Sequence, residues 1–242
     1  FLDTMAPRAV ARAPVWPPWH LALIFAISIS ALTAQGETLV EYLDTLPCWQ
    51  GYDCPYLLLN GNSLSGSIPT EIGQATSIAT LLLYDNFLNG TIPTEIANMT
   101  SLQRLELQNN SLTGTIPTEI GGMTDLIRLR LFTNSLTKHI PTEVGGMASL
   151  KELQLYGNSI TGRIPTEIAA LAGLETLFLH ENFLFGPIPT EIAGMTSTTW
   201  LQLQDNFLTG FITTTIGEMA SLSYLYLNDN LFKGPIPTEI GR

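Results

Sequence analysis

From about residue 54 onward, one arrangement of apolar and polar positions is written over and over. Between Leu102 and Met123 the apolar positions are Leu102, Leu105, Leu107, Leu112, Ile116, Ile120 and Met123, with Asn110, Gly114 and Pro117 at set places among them. The frame reads L-x-x-L-x-L-x-x-N-x-L-x-G-x-I-P-x-x-I-x-x-M. Its asparagine returns at Asn62, Asn86, Asn110, Asn134, Asn158, Asn182, Asn206 and Asn230, a 24-residue step without insertion in all eight copies. Self-similarity of this kind marks a repeat architecture. Leu105 and Leu107 alternate with polar neighbours, the period of a short strand. That strand buries its leucines and turns Glu106 to solvent. Asn110 is a polar residue in an apolar frame, so it must find hydrogen-bond partners, and a stacked column of such residues can bond the backbone of adjacent coils. Gly114 allows a bend, Pro117 halts any ladder or long helix, and Ile116, Ile120 and Met123 return inward. One copy cannot bury its apolar edge alone. Stacking buries it, which predicts a solenoid held by nearest-neighbour contacts, roughly 38 Å long for eight coils at the spacing of strands in a sheet.

The frame, with the "IPTEIG" half that follows each asparagine, resembles the plant-type leucine-rich repeat, and the resemblance covers residues 37–242. It implies an α/β solenoid: a right-handed curved coil with a concave parallel β-sheet and a convex side of 3₁₀ and irregular segments. "PCWQGYDC" resembles the N-terminal cap of that family, although its cysteines stand one residue closer together. The resemblance thus implies a cap over residues 37–54 with a Cys48–Cys54 disulfide that closes the end of the stack; two buried free thiols are the other reading. The solenoid proper runs from 54 to 242 and stops at "IPTEIGR" inside a coil with no polar cap, so the native chain is expected to continue.

Upstream, Arg8 and Arg12 precede the apolar run "LALIFAISISAL" at residues 21–32, and "AQG" follows at 34–36. This is the pattern of a signal peptide over residues 1–36. An uncleaved signal anchor is the alternative, though the run falls short of the ~20 residues of a membrane span. The expected location is secreted, or on the extracellular side of the plasma membrane. Membrane attachment would come only through such an anchor or a span beyond Arg242. Secretion would make Asn89, Asn98 and Asn109 glycosylation acceptors.

Composition narrows the partners. The net charge is −11 with only 10 Lys plus Arg, which excludes a basic nucleic-acid-binding face. The frame residues are committed to packing, so recognition falls to the variable positions six, four and two residues before each asparagine, on the concave sheet. There Arg104, Arg128 and Arg130 cluster with Glu106 and Glu152. Phe178, His180, Trp200, Tyr224 and Tyr226 cluster further along, and Phe132 and Tyr156 lie between. Aromatic side chains beside arginines are the composition of binding hot spots, but strands also favour aromatics for packing. The arginines either grip a carboxylate or sulfate of a ligand or pair locally with Glu106 and Glu152.

A second column, Thr70, Thr94, Thr118, Thr142, Thr166, Thr190, Thr214 and Thr238, runs beside a glutamate column interrupted only at Thr215. A threonine array at strand spacing suggests ice binding, whereas the adjoining carboxylates argue against it and lack the further oxygens that calcium wants. Copy seven departs from the frame with Thr198, Thr213 and Thr215, and copy four has Lys138 in the glycine slot. His20, His139 and His180 lie in no nucleophile or metal motif, and no phosphate loop or zinc spacing occurs. The reading is a non-enzymatic extracellular module, without cofactor. It binds a protein, peptide or glycan on the concave sheet, as a receptor-like ectodomain or secreted binder. An ice-binding or cell-surface structural protein using the threonine column is the alternative.

Overall fold

The computed structural model describes residues 38–43 and 54–241. The expected signal peptide and Cys48 lie outside the described residues, as do most of the cap and Arg242. After a short helix α1 (Leu39–Leu43), every coil repeats strand, strand, 3₁₀ turn. The odd-numbered strands are β1 (Tyr56–Leu58), β3 (Thr80–Leu82), β5 (Arg104–Glu106), β7 (Arg128–Arg130), β9 (Glu152–Gln154), β11 (Thr176–Phe178), β13 (Trp200–Gln202) and β15 (Tyr224–Tyr226). They form one eight-stranded parallel sheet in chain order. Its register pairs each residue with its equivalent one period on, as in Leu105 with Leu129.

The even-numbered strands form a second, lateral parallel sheet that the repeat frame had not suggested. They are β2 (Ser65–Ser67), β4 (Phe87–Asn89), β6 (Thr113–Gly114), β8 (Ser135–Lys138), β10 (Ser159–Gly162), β12 (Phe183–Gly186), β14 (Phe207–Phe211) and β16 (Leu231–Lys233). Strands β6 to β16 are joined in one six-stranded unit and β2 pairs with β4. Here the register is sheared: Phe185 lies opposite Phe207 and Thr209 opposite Leu231, so equivalent positions run diagonally rather than straight across.

Between the two sheets and the 3₁₀ turns sits a single continuous core. Leu105, Leu107, Leu112, Leu126 and Ile120 are fully buried, and so are their counterparts in most coils. In copies one to six the 3₁₀ turn starts after an extended proline, as after Pro117 with ψ 139° before Thr118–Gly122. The proline ring fixes the φ that the turn needs and loses no amide that the turn would have used. Copy seven lacks this proline. Its Thr213 hydroxyl accepts a hydrogen bond from the Thr215 amide at 3.3 Å and caps the turn instead. Thr198, in a leucine slot, is fully buried and donates to the Leu174 carbonyl at 2.7 Å. Both departures are thus satisfied within the frame.

The asparagine column ties coil to coil. Asn158 donates through Nδ2 to the carbonyls of Leu131, Leu155 and Tyr156 at 3.0 to 3.2 Å, and its Oδ1 accepts from the Leu136 amide at 3.0 Å. Asn86, Asn110, Asn134, Asn182 and Asn206 repeat the pattern. The amide side chain supplies a donor and an acceptor where the chain passes between its two sheets and backbone groups lack partners.

The glycine slot at Gly114 has φ +77°, a left-handed conformation that costs an L-residue free energy. Lys138 occupies the same slot with φ +63° and an exposed side chain. Lys138→Gly is therefore expected to stabilise the protein by about 1 kcal/mol, read as a raised urea midpoint at unchanged slope.

Candidate functional site

The concave sheet divides into a charged part and an aromatic part. In the charged part, Arg104, Arg128 and Arg130 come from β5 and β7, where the register sets Arg104 beside Arg128 and Glu106 beside Arg130. Glu106 does not face water, contrary to the alternation-based expectation: it is 2% exposed. Arg104 Nη2 lies 2.7 Å from it, while Arg128 Nη1 and Arg130 Nη1 approach to 3.5 Å. Three long guanidinium-bearing side chains from two strands close over one carboxylate, a covering that depends on neighbouring coils and so escapes a strand-by-strand reading. Glu152, from β9, pairs with Arg128 Nε and with Arg130 Nη2, the latter at 2.6 Å, and accepts from Gln154 Nε2 at 2.6 Å.

Burial alone would raise the Glu106 carboxyl. The hydrogen bond from Arg104, the charges of Arg130 and Arg104, and the bond from Gln108 outweigh it and hold the group below the usual glutamate value. All three arginines are thus engaged, and the cluster of three cations and two carboxylates keeps one unit of positive charge.

In the aromatic part, Phe132, Tyr156 and His180 stack face to face across coils four to six. Centroids are 4.3 Å apart at both steps, with interplanar angles of 9° and 10°. Phe178 meets Trp200 edge-on at 5.8 Å, and Trp200 tilts against Tyr224 at 4.6 Å. Trp200, Tyr224 and Tyr226 are exposed, whereas Phe132, Tyr156 and Phe178 are half-buried and His180 is buried. Burial lowers the His180 imidazole below its ordinary pKa against the weaker pull of Glu181 and Asp205, so the ring is neutral near pH 7. Burial likewise raises the Tyr156 phenol, opposed by Arg130 and reinforced by Glu181. His180 Nδ1, Gln108 Oε1 and Gln204 Oε1 are buried without a protein hydrogen bond and all belong to the column two residues before the asparagines. Of these atoms only His180 Nδ1 sits in a ring stack, and the stacking that encloses it runs across coils, where the sequence of one strand gives no signal.

On the convex side Thr70, Thr94, Thr118, Thr142, Thr166, Thr190 and Thr238 are exposed, and each donates its hydroxyl to the glutamate that follows it, at 3.1 to 3.4 Å. Of the glycosylation candidates, Asn89 and Asn98 are exposed. The Asn109 amide is taken up by Asp85 at 2.7 Å. Cys54 is buried beside β1. Among the described residues no group of His, Cys, Asp and Glu could hold a metal, and no helix is long and apolar enough to cross a membrane.

The Leucine Rich Repeat family model matches residues 101–123, 149–171 and 221–242. No curated protein matches the chain. Among solved structures, the chain is 37% identical to the Arabidopsis receptor kinase HAESA in complex with the peptide hormone IDA and the co-receptor SERK1, with a TM-score of 0.75. That match covers 77% of this chain and 31% of the receptor. The plant peptide hormone receptor RGFR1 in complex with RGF2 is 38% identical at a TM-score of 0.65, over 77% of this chain and 34% of that one. A plant ice-binding protein is 27% identical at a TM-score of 0.59, over 76% of this chain and 67% of that one. The chain thus spans about a third of the length of the two receptor structures.

Proposed function

We propose, for a chain whose coils are leucine-rich repeats, that it is a non-catalytic extracellular recognition module that holds an extended peptide segment on its concave sheet. It serves either as a receptor-like ectodomain or as a secreted binder. The observation that carries this reading is the aromatic face from Phe132 to Tyr226, set beside the ion-paired arginines. Sugar rings dock on open aromatic faces. In the Phe132, Tyr156 and His180 stack the faces lie against one another, leaving ring edges outward. Ring edges carry the positive end of the quadrupole and suit the carbonyl oxygens of a peptide better than a pyranose face. Five strand steps separate coils three and eight, about 24 Å, which an extended peptide of about seven residues spans. The residual positive charge of the arginine cluster favours an acidic group at one end of that peptide. The two plant receptors bound to peptide hormones support the peptide over the glycan. An extracellular site also gives a setting for a Cys48–Cys54 disulfide and for glycans on Asn89 and Asn98.

The test is Trp200→Ala combined with Tyr224→Ala. Peptides that co-purify with the protein from growth medium are identified by mass spectrometry and titrated by calorimetry. Loss of two exposed aromatic anchors is expected to weaken binding by about 3–4 kcal/mol, several hundredfold, with the circular dichroism spectrum unchanged. Unaltered affinity would remove the aromatic face as the site.

Similarity to a plant ice-binding protein favours a second reading, in which the exposed threonine column meets ice. Every hydroxyl of the column except that of Thr214 is turned to a glutamate, which keeps that face strongly hydrated. If the column nonetheless binds ice, the protein inhibits recrystallisation and Thr118→Tyr abolishes the effect; an inactive intact protein ends this alternative.

A further inference from the structure

We propose that a second surface, on the lateral sheet of coils six to eight and separate from the concave face, receives a protein partner whose apolar side chains are bordered by lysine or arginine. The repeat supplies its own control. In β6, β8 and β10 and the residues leading into them, the outward positions carry hydroxyls: Ser135, Ser159, Thr113, Thr137 and Thr161. The same frame and the same parallel strands carry Phe183, Phe185, Phe207, Phe211 and Leu231 in β12, β14 and β16. The backbone therefore requires none of these rings.

Nor does the core use them, since they are 48 to 69% exposed. Phe183, Phe185 and Phe207 form one patch, with Phe211 further along β14 and Leu231 on β16 of the same sheet. The sheared register sets Phe185 opposite Phe207, and the Phe183 and Phe207 rings stack at 6.0 Å with 20° between planes. Contiguous apolar side chains in water mark interaction surfaces, and aromatic anchors dominate the energetics of such surfaces.

Charge identifies the occupant. Glu181, Asp205 and Asp229 stand two residues before Phe183, Phe207 and Leu231, all exposed, and none is in an ion pair among the described residues. They make an acidic margin on the concave side of the patch. Arg163 stands against Gly186 and Lys233 pairs with Phe211, towards the ends of the strands away from those carboxylates. The partner's cations must therefore face the concave side. A second copy of this chain fits poorly, because each copy carries a net charge of −11 and like charges repel at close approach.

The test pans a displayed random peptide library on the whole protein, with counter-selection on the triple variant Phe183→Ser, Phe185→Thr, Phe207→Ser. These substitutions install residues that the repeat already accommodates at the same positions, so the fold is preserved, as circular dichroism verifies. Enriched peptides are expected to combine apolar anchors with adjacent lysine or arginine. They should lose about tenfold or more in affinity to the triple variant, weaken with Glu181→Lys and with salt, and ignore Trp200→Ala with Tyr224→Ala. Absence of such enrichment overturns the proposal. So does a wild-type dimer in light scattering that the triple variant dissolves, which makes the occupant a second copy. Partition onto phosphatidylcholine vesicles that the triple variant loses also overturns it, since the patch would then meet lipid.

Discussion

Replacing Asn158 with alanine is expected to lower stability by about 3–5 kcal/mol, an effect its equally buried counterparts Asn182 and Asn206 should share. The loss follows from counting partners. Asn158 is 7% exposed and serves the Leu136 amide and the carbonyls of Leu131, Leu155 and Tyr156. Alanine leaves these groups facing one another, and each buried polar group without a partner costs about 1–3 kcal/mol. Water entering the space left by the amide holds the sum below the full arithmetic total. The column contains its own scale. Asn62 is half-buried, and among the described residues its Nδ2 donates to the Asn60 carbonyl alone, so Asn62→Ala should cost about 1 kcal/mol or less. Guanidinium denaturation of both variants checks the gradient. Equal losses at the two positions would mean that the column does not work through its hydrogen bonds.

Glu106→Gln is the second large effect, and it carries a pH signature. The folded carboxyl titrates below the usual glutamate value of about 4.3. A depressed folded pKa contributes stability that is complete above the unfolded pKa and is lost as pH falls through the folded one. Wild-type protein should thus weaken steeply below about pH 4, and Glu106→Gln should flatten that limb while lowering stability at pH 7. Breaking a fully buried pair costs about 3–5 kcal/mol. The arginine side chains are 27 to 43% exposed, so solvent screens the loss, and about 1–3 kcal/mol is expected here. Parallel acid limbs in the two proteins would show that the carboxylate is not held by its arginines.

The two effects mark where sequence and structure part company. The leucines, the asparagine step and the proline before each turn are periodic, and a period is what a single chain displays most clearly. Coil number and the stacking of one short strand per coil were legible from them, and the resemblance to leucine-rich repeats added the concave parallel sheet. So was the gathering of Arg104, Arg128 and Arg130, since equivalent positions in adjacent copies must lie side by side. The burial of Glu106 was not, because alternation along β5 assigns it to solvent, whereas Arg104 from its own strand and Arg128 and Arg130 from β7 fold over it. The burial of His180 escapes the sequence for the same reason: its neighbour one coil back, Tyr156, lies flat against it. The lateral sheet was hidden differently. Its strands are two to five residues long, and their sheared register does not coincide with the period that identifies every other feature.

An uninterrupted step has a genetic consequence. Any two copies present the same splice, so recombination that excises residues 135–158 would join Asn134 directly to Ser159 with the frame intact. Such an event removes Glu152 and Tyr156 and sets Arg130 alongside Phe178. Copy number in this chain is therefore a ruler that sets the distance between the charged and aromatic parts in whole strand steps, and with it the length of the peptide proposed to span them.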